Sequence, residues 1–191
     1  MHGSMIMVRN LLEGLLAGCS ADGKADLAVF PSFPYLSLTE SILSGSHIAW
    51  GGQTLNPNAE GAHTGETSGS MLVDMGCRYV LVGHSERRAT YGESDEDVAL
   101  RFKAALEAEL QPVLCVGETL EEREQGQTET VVARQLDAVI DSVGIASFSR
   151  AIIAYEPVWA IGTGLTATPE QAQSVHAFIR DKISALNAII A

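Results

Sequence analysis

Five short apolar runs, none of which alternates polar with apolar residues, constrain the fold of this 191-residue chain most strongly. They are Asp26–Phe30, His47–Gly51, Tyr79–Gly83, Pro112–Val116 and Ala151–Tyr155. A continuous apolar run is typical of a strand that is buried on both faces, as in a parallel sheet. Successive runs lie roughly 20–40 residues apart, which is enough for one crossover helix in each interval.

Helical patterns precede the first run and fill the intervals. Apolar residues recur at helical spacing from Met7 to Leu16 and predict an amphipathic first helix. Later helices are predicted at Glu96–Glu109, Thr128–Ser142 and Pro169–Ala188. No linker or shift in composition divides the chain, so we expect one α/β domain over residues 1–191, a helix followed by five βα units. A doubly wound sheet and an α/β barrel both fit this order of elements.

Composition excludes several classes of partner. The net charge of -12 creates a field that repels nucleic acid and anionic membranes, and 46% hydrophobic residues suffice for a packed core. No segment approaches the ~18 apolar residues of a membrane span. The three cysteines show no C-x-x-C spacing and the five histidines show no H-x-x-x-H pair, so we expect no metal and a reducing, cytoplasmic location.

Two polar residues follow apolar runs at the places where parallel α/β folds gather functional groups. His84 follows the third run and precedes Ser85, which can cap a helix. We therefore expect the helix dipole to lower the pKa of His84 and to favour a neutral imidazole. Glu156 follows the fifth run, where partial desolvation suits a general base. A capping or core histidine and a structural glutamate are the alternatives for the two positions.

The segment Pro157–Thr166 is mostly apolar and contains two glycines, a composition that is unusual for a solvated loop. It is typical of a lid, in which Trp159 and Ile161 exclude water and the Gly162 N–H approaches an anionic group. A packed structural loop is the alternative. A histidine, a carboxylate and a lid together favour proton abstraction next to a carbonyl. No dinucleotide fingerprint or serine nucleophile elbow competes with this interpretation.

Two longer stretches, Tyr79–Arg88 and Ala154–Gly164, resemble the signature stretches of the triosephosphate isomerase family. Shorter matches lie at Gly51–Thr54, Gly61–Glu66 and Cys115–Glu118, so the resemblance covers essentially the whole chain. It implies a parallel (β/α)8 TIM barrel and an aldose–ketose isomerase of glycolysis and gluconeogenesis. Such an enzyme interconverts two three-carbon sugar phosphates, dihydroxyacetone phosphate and glyceraldehyde 3-phosphate, without cofactor or metal.

The resemblance also implies a role for each matching residue. His84 polarises the substrate carbonyl, and Glu156 moves a proton between neighbouring carbons through an enediolate. Ser85 and Glu86 support these groups, Glu86 as the carboxylate near the family's catalytic lysine. The implied lid comprises Pro157, Val158, Trp159, Ala160, Ile161, Gly162, Thr163, Gly164, Leu165 and Thr166, with the Gly162 N–H on the phosphate. The implied homodimer loop contains Thr64, Gly65 and Glu66.

The sequence departs from the family's pattern in two places. The family's Asn-x-Lys pair, which precedes a segment like Met1–Ser4, is absent, and so are the Gly-Gly-Ser and paired-glycine phosphate turns of the last two βα units. We therefore expect an incomplete barrel of about five βα units, corresponding to strands two to six, with open edges and little activity. The alternatives are an inactive fragment that acts as a binding or interaction protein, and another phosphate-handling barrel isomerase. A homodimer is expected of the family, but the pocket for the dimer loop lacks the Asn and Lys.

Overall fold

The computed structural model describes residues 2–20, 23 and 25–191, so that Met1 of the family-like segment lies outside the described residues. Five strands form one sheet in the order β1-β2-β3-β4-β5. The strands are β1 (Leu27–Val29), β2 (Ile48–Gly52), β3 (Tyr79–Val82), β4 (Gln111–Val116) and β5 (Ile152–Tyr155). The pairs β1–β2, β2–β3 and β4–β5 are parallel, which confirms the parallel sheet predicted from the apolar runs.

The order of the strands distinguishes between the two architectures that the sequence left open. A doubly wound sheet reverses its strand order at a switch point, whereas a barrel is wound in one direction. The five strands of the described residues follow one another in chain order without a reversal. The winding is therefore that of an α/β barrel.

The part of the chain that the structure describes contains eight α-helices. They are α1 (Met5–Gly18), α2 (Leu36–Leu43), α3 (Gly69–Asp74), α4 (Ser85–Tyr91), α5 (Asp95–Glu107), α6 (Leu120–Glu124), α7 (Thr128–Val143) and α8 (Pro169–Leu186). The four longer predicted helices are thus confirmed as α1, α5, α7 and α8. Helix α8 begins as predicted, because the Thr168 side chain accepts from the Gln171 N–H and Pro169 occupies the first turn.

The chain forms two compact units, and each has its own apolar interior. The first comprises Met1–Leu81 and Ala104–Pro112, where Val8 and Leu12 of α1 pack in a cluster with Leu38, Leu43 and Ile48. The second comprises Val82–Lys103 and Val113–Ala191. Its interior includes the stacked pair Phe102 and Phe148 and three buried residues of α7, Val132, Leu136 and Val139. His84 and Glu156 both fall in this second unit, and the single domain of residues 1–191 remains a prediction.

Two features of the described residues concern membranes and metal ions. None of the helices found there is long and apolar enough to cross a membrane. Among the same residues, no group of three or more histidines, cysteines, aspartates and glutamates could hold a metal ion.

The three cysteines differ in burial, and this predicts their reactivity. Burial raises the pKa of the Cys115 thiol to about 12 and, with a contribution from Glu40, that of Cys77 to about 11. Cys19 is partly exposed. Because the thiolate is the reactive form, we expect one thiol to react rapidly with Ellman's reagent at pH 8, and all three only after denaturation. Rapid native reaction of Cys115, identified by peptide mapping, would contradict the packing around β4.

Candidate active site

The end of β3 positions His84. Gly83 follows the strand with a φ of 76°, and a Cβ there would lie 2.9 Å from Val98 Cγ1, so both the backbone angle and the packing require glycine. His84 is the N-cap of α4, and its Nδ1 accepts from the Glu86 N–H at 3.3 Å. The cap is therefore His84 itself rather than Ser85. Since the accepting Nδ1 uses its lone pair, this bond places the imidazole proton on Nε2.

The end of β5 brings Glu156 to the same place. The Glu156 N–H donates to the Val116 carbonyl at 2.8 Å, which extends the pairing of β5 with β4 by one residue. Its carboxylate is 14% exposed and makes two contacts with the start of α4. Oε2 accepts from the Ser85 N–H at 3.0 Å, and Oε1 lies 2.9 Å from His84 Nε2. The sequence singled out His84 and Glu156, which are 72 positions apart in the chain. Their side chains form one hydrogen-bonded pair in the second unit.

The electrostatics of His84 differ from the sequence prediction. The hydrogen bond with Glu156 raises the pKa of His84, burial lowers it, and the charges of Glu156 and Glu86 raise it further, so that it lies above its ordinary value. The predicted lowering by the helix is therefore wrong in direction, because a carboxylate faces the imidazole directly. The bond from the Glu86 N–H to Nδ1 still favours the neutral ring.

Removal of the Glu156 charge is expected to lower the pKa of His84. In the Glu156→Gln variant the imidazolium loses its anionic partner, so the histidine titrates at lower pH in an NMR titration. A raised folded pKa adds stability that is fully present below the unfolded pKa and is lost as the pH rises through the folded pKa. The variant should therefore show less of this pH dependence in its unfolding free energy. An unchanged His84 titration, with the other histidines as internal references, would contradict the pairing.

A buried carboxylate, Glu118, anchors the segment predicted as a lid. It is fully buried and accepts from the Tyr155 hydroxyl at 3.0 Å, Trp159 Nε1 at 3.0 Å and Arg123 Nη1 at 2.9 Å. The Arg123 guanidinium also lies 4.6 Å from the centroid of the Trp159 ring. Burial, and then Glu118, raise the pKa of Tyr155 to about 12. In the sequence Glu118 is only part of a family-like motif, and no local pattern connected it with Trp159.

The remaining residues predicted for the site lie in the lid segment and at the start of α4. Val158–Ala160 form a 3-10 turn, Trp159 is buried, and Ile161 and Leu165 are exposed. Gly162 lies in this exposed segment with a φ of 69°. Glu86 is exposed in the first turn of α4.

The predicted dimer loop lies in the first unit and is exposed. Thr64, Gly65 and Glu66 are all accessible, and the Glu66 carboxylate accepts from Asn56 Nδ2 at 3.0 Å. Exposure leaves these side chains available for contact with another molecule. Their role in a dimer remains a prediction.

Arg88 is a further residue that the sequence did not single out. Its Nε donates to the Gly83 carbonyl at 2.8 Å, directly before His84, and its Nη1 pairs with Asp95. Asp95 also pairs with Arg134 of α7 at 3.1 Å. The hydrogen bond and the two ion pairs therefore link the backbone at the end of β3 with residues of three helices, α4, α5 and α7.

Known proteins resemble this chain over its whole length. A family model described as "Triosephosphate isomerase" matches residues 1–191. The chain belongs to the triosephosphate isomerase family. It is 56% identical over 191 residues to the protein named triosephosphate isomerase of Thiobacillus denitrificans, 56% to that of Dechloromonas aromatica and 53% to that of Nitrosomonas eutropha. Each alignment covers all of this chain and 76% of the relative, so the chain spans about three quarters of their length.

Family membership and the sheet give the same account of the fold. The chain contains about five βα units of the family's (β/α)8 barrel, wound in chain order. This confirms the fold that the resemblance implied. The alternative of another phosphate-handling barrel isomerase is thereby excluded.

Proposed function

We propose that this chain carries the proton-transfer pair of a triosephosphate isomerase, with His84 and Glu156 as its catalytic residues. The observation that supports the proposal most directly is the 2.9 Å contact between His84 Nε2 and Glu156 Oε1, with the second carboxylate oxygen on the Ser85 N–H. A carboxylate base and a histidine donor, here at the ends of β5 and β3, are the groups that proton abstraction next to a carbonyl requires. Family membership supplies the substrate class, a three-carbon sugar phosphate.

The proposed reaction begins when the substrate carbonyl takes the place of Glu156 beside His84 Nε2. The Nε2–H then donates to the carbonyl oxygen and stabilises the negative charge that develops there. Glu156 removes the proton from the neighbouring carbon, which gives an enediolate. The hydroxyl proton of that carbon passes to the former carbonyl oxygen, and Glu156 returns its proton to the former carbonyl carbon, so that the carbonyl and the hydroxyl have exchanged carbons. The Glu86 N–H on Nδ1 keeps the donor proton on the side of the substrate.

The segment Pro157–Thr166 is proposed to close over the substrate and to place the Gly162 N–H on its phosphate. Closure would exclude water, which otherwise promotes loss of phosphate from the enediolate. The positive φ of Gly162 and Gly164 and the exposure of Ile161 are consistent with a segment that can change its conformation. Trp159, held by Glu118, would be the residue that changes partners on closure.

Two further proposals rest on the family. The 191 residues contain no Asn-x-Lys sequence, so we propose that a polypeptide of these residues alone is nearly inactive. We also propose that a complete site is formed in a cytoplasmic homodimer, in which Thr64 of the exposed loop contacts the neighbouring subunit. Light scattering after size exclusion tests the dimer.

A chimera tests the proposed catalytic pair. Residues 1–191 would replace the aligned segment of the Thiobacillus denitrificans relative, which is 56% identical, so that the relative supplies the remaining quarter. We expect this chimera to isomerise glyceraldehyde 3-phosphate in a coupled assay. Glu156→Asp retracts the carboxylate by about 1 Å and should lower kcat by about 100-fold, with a smaller change in KM. Retention of full kcat in this variant would refute Glu156 as the base.

A further inference from the structure

A buried side-chain amide binds the backbone beside the candidate base. Gln135 lies on α7 and is only 4% exposed. Its Oε1 accepts from the Gly117 N–H at 2.9 Å, and its Nε2 donates to the Gly117 carbonyl at 3.1 Å. The side-chain amide of Gln135 therefore bonds to both the N–H and the carbonyl of Gly117. Two residues of paired strands exchange their bonds in the same way.

Gly117 in turn packs directly against the backbone of Glu156, and no space is left for a side chain at position 117. A Cβ built on Gly117 would lie 1.8 Å from the Glu156 carbonyl oxygen and 2.8 Å from its carbonyl carbon. On the other side, the Glu156 N–H is bonded to the carbonyl of Val116, the residue before Gly117. A displacement of Gly117 therefore moves the peptide groups on both sides of the Glu156 Cα, because packed atoms at contact distance cannot absorb it.

We propose that Gln135 is a positioning residue, which holds Gly117 and thereby fixes the backbone from which the Glu156 carboxylate reaches Ser85 and His84. The proposal rests on the proposed role of Glu156 as the base. The second atom of the amide distinguishes this role from simple satisfaction of a buried donor: one bond would satisfy the Gly117 N–H, whereas two bonds fix the position and orientation of the peptide. The neighbouring α7 residues Val132, Leu136 and Val139 are buried and apolar.

Hydrogen exchange and NMR on the 191-residue chain test the first step. In Gln135→Leu the Gly117 amide should exchange at least about tenfold faster, since its bond to Oε1 is lost. The His84 titration should move to lower pH as Glu156 shifts away from Nε2. Gln135→Glu should retain the wild-type behaviour when its carboxyl is protonated, because a carboxylic acid can both accept from the N–H and donate to the carbonyl.

Val139→Ala is the matched control, since Val139 is fully buried one turn further along the same helix. It should reduce stability without changing the Gly117 exchange or the His84 titration. If Gln135→Leu and Val139→Ala shift His84 equally, Gln135 is only a structural residue and the proposal is overturned.

Kinetics in the chimera separate this proposal from the proposed function. The chimera also provides a host for Gln135→Leu if that variant of the 191-residue chain fails to fold. We expect Gln135→Leu to lower kcat by about 100-fold with KM within about twofold, and Gln135→Glu to restore part of it. Val139→Ala should leave kcat within about twofold. An inactive chimera with intact Gln135 would refute the proposed function, whereas an active chimera whose kcat is insensitive to Gln135→Leu would refute the positioning role alone.

Discussion

A polypeptide of residues 1–191 is expected to isomerise glyceraldehyde 3-phosphate at least about 10⁴-fold more slowly than the chimera that adds the relative's remaining segments. The family's lysine and most of its phosphate-binding turns are not among these residues. Preorganised charges and N–H groups of this kind are each commonly worth ~3–4 kcal/mol in the transition state, so two such losses account for four orders of magnitude or more. The proposed pair of His84 and Glu156 carries no positive charge that could neutralise the phosphate of the proposed substrate when the histidine is neutral.

The comparison needs polypeptides that are equally folded. Both would be purified by size exclusion, and the titration of His84 would show that the pair with Glu156 is formed in each. Activity would then be followed by a coupled assay, with the Glu156→Gln variant of the chimera as the background. Turnover of the shorter polypeptide within about tenfold of the chimera would contradict the prediction, and would show that the missing groups contribute little.

Gly117→Ala is expected to destabilise the second unit by about 3 kcal/mol or more, which is the upper range for overpacking in a core. The added methyl would lie 1.8 Å from the Glu156 carbonyl oxygen, a distance that only a backbone movement can relieve. That movement breaks the two bonds with Gln135 or displaces Glu156 from His84. The variant should therefore lose both stability and the raised pKa of the histidine.

Urea unfolding measures the first effect, and Gly14→Ala provides the control with the same chemical change. Gly14 lies inside α1, and a Cβ added there would meet nothing within 4 Å, so alanine should raise stability by up to about 1 kcal/mol. Opposite signs for the two variants are the expected result. Equal stability of Gly117→Ala and the wild type would show that the contact with Glu156 is not as tight as the structure describes.

Local patterns were sufficient to predict most of the secondary structure. The run at Pro112–Val116 predicted β4 almost to the residue, and Thr168 with Pro169 marked the start of α8, because caps and apolar periodicity act over a few residues. His84 and Glu156 were each singled out from the rule that functional groups follow strand ends. The predicted lowering of the His84 pKa was wrong, because the shift depends on the carboxylate of Glu156, which is 72 positions away in the chain.

The roles of Glu118 and Gln135 show what local patterns could not reveal. Each side chain is buried and polar, and its partners lie far along the chain: Trp159 for Glu118 and Gly117 for Gln135. A glutamine within a helical pattern is ordinarily solvent-exposed, so nothing in the sequence around Gln135 indicated burial. Its partner became evident only from the packing of α7 against the end of β4.

The sequence by itself determined the alternation of strands and helices, the family and the two residues of the proposed proton-transfer pair. These follow from hydrophobic periodicity and from motifs that are contiguous in the chain. Tertiary structure decided the winding of the sheet, the hydrogen-bond partners of His84 and Glu156, and the direction in which the pKa of His84 is shifted. The physical reason is that distances of about 3 Å between distant segments fix hydrogen bonding and electrostatics, and only the folded chain sets those distances.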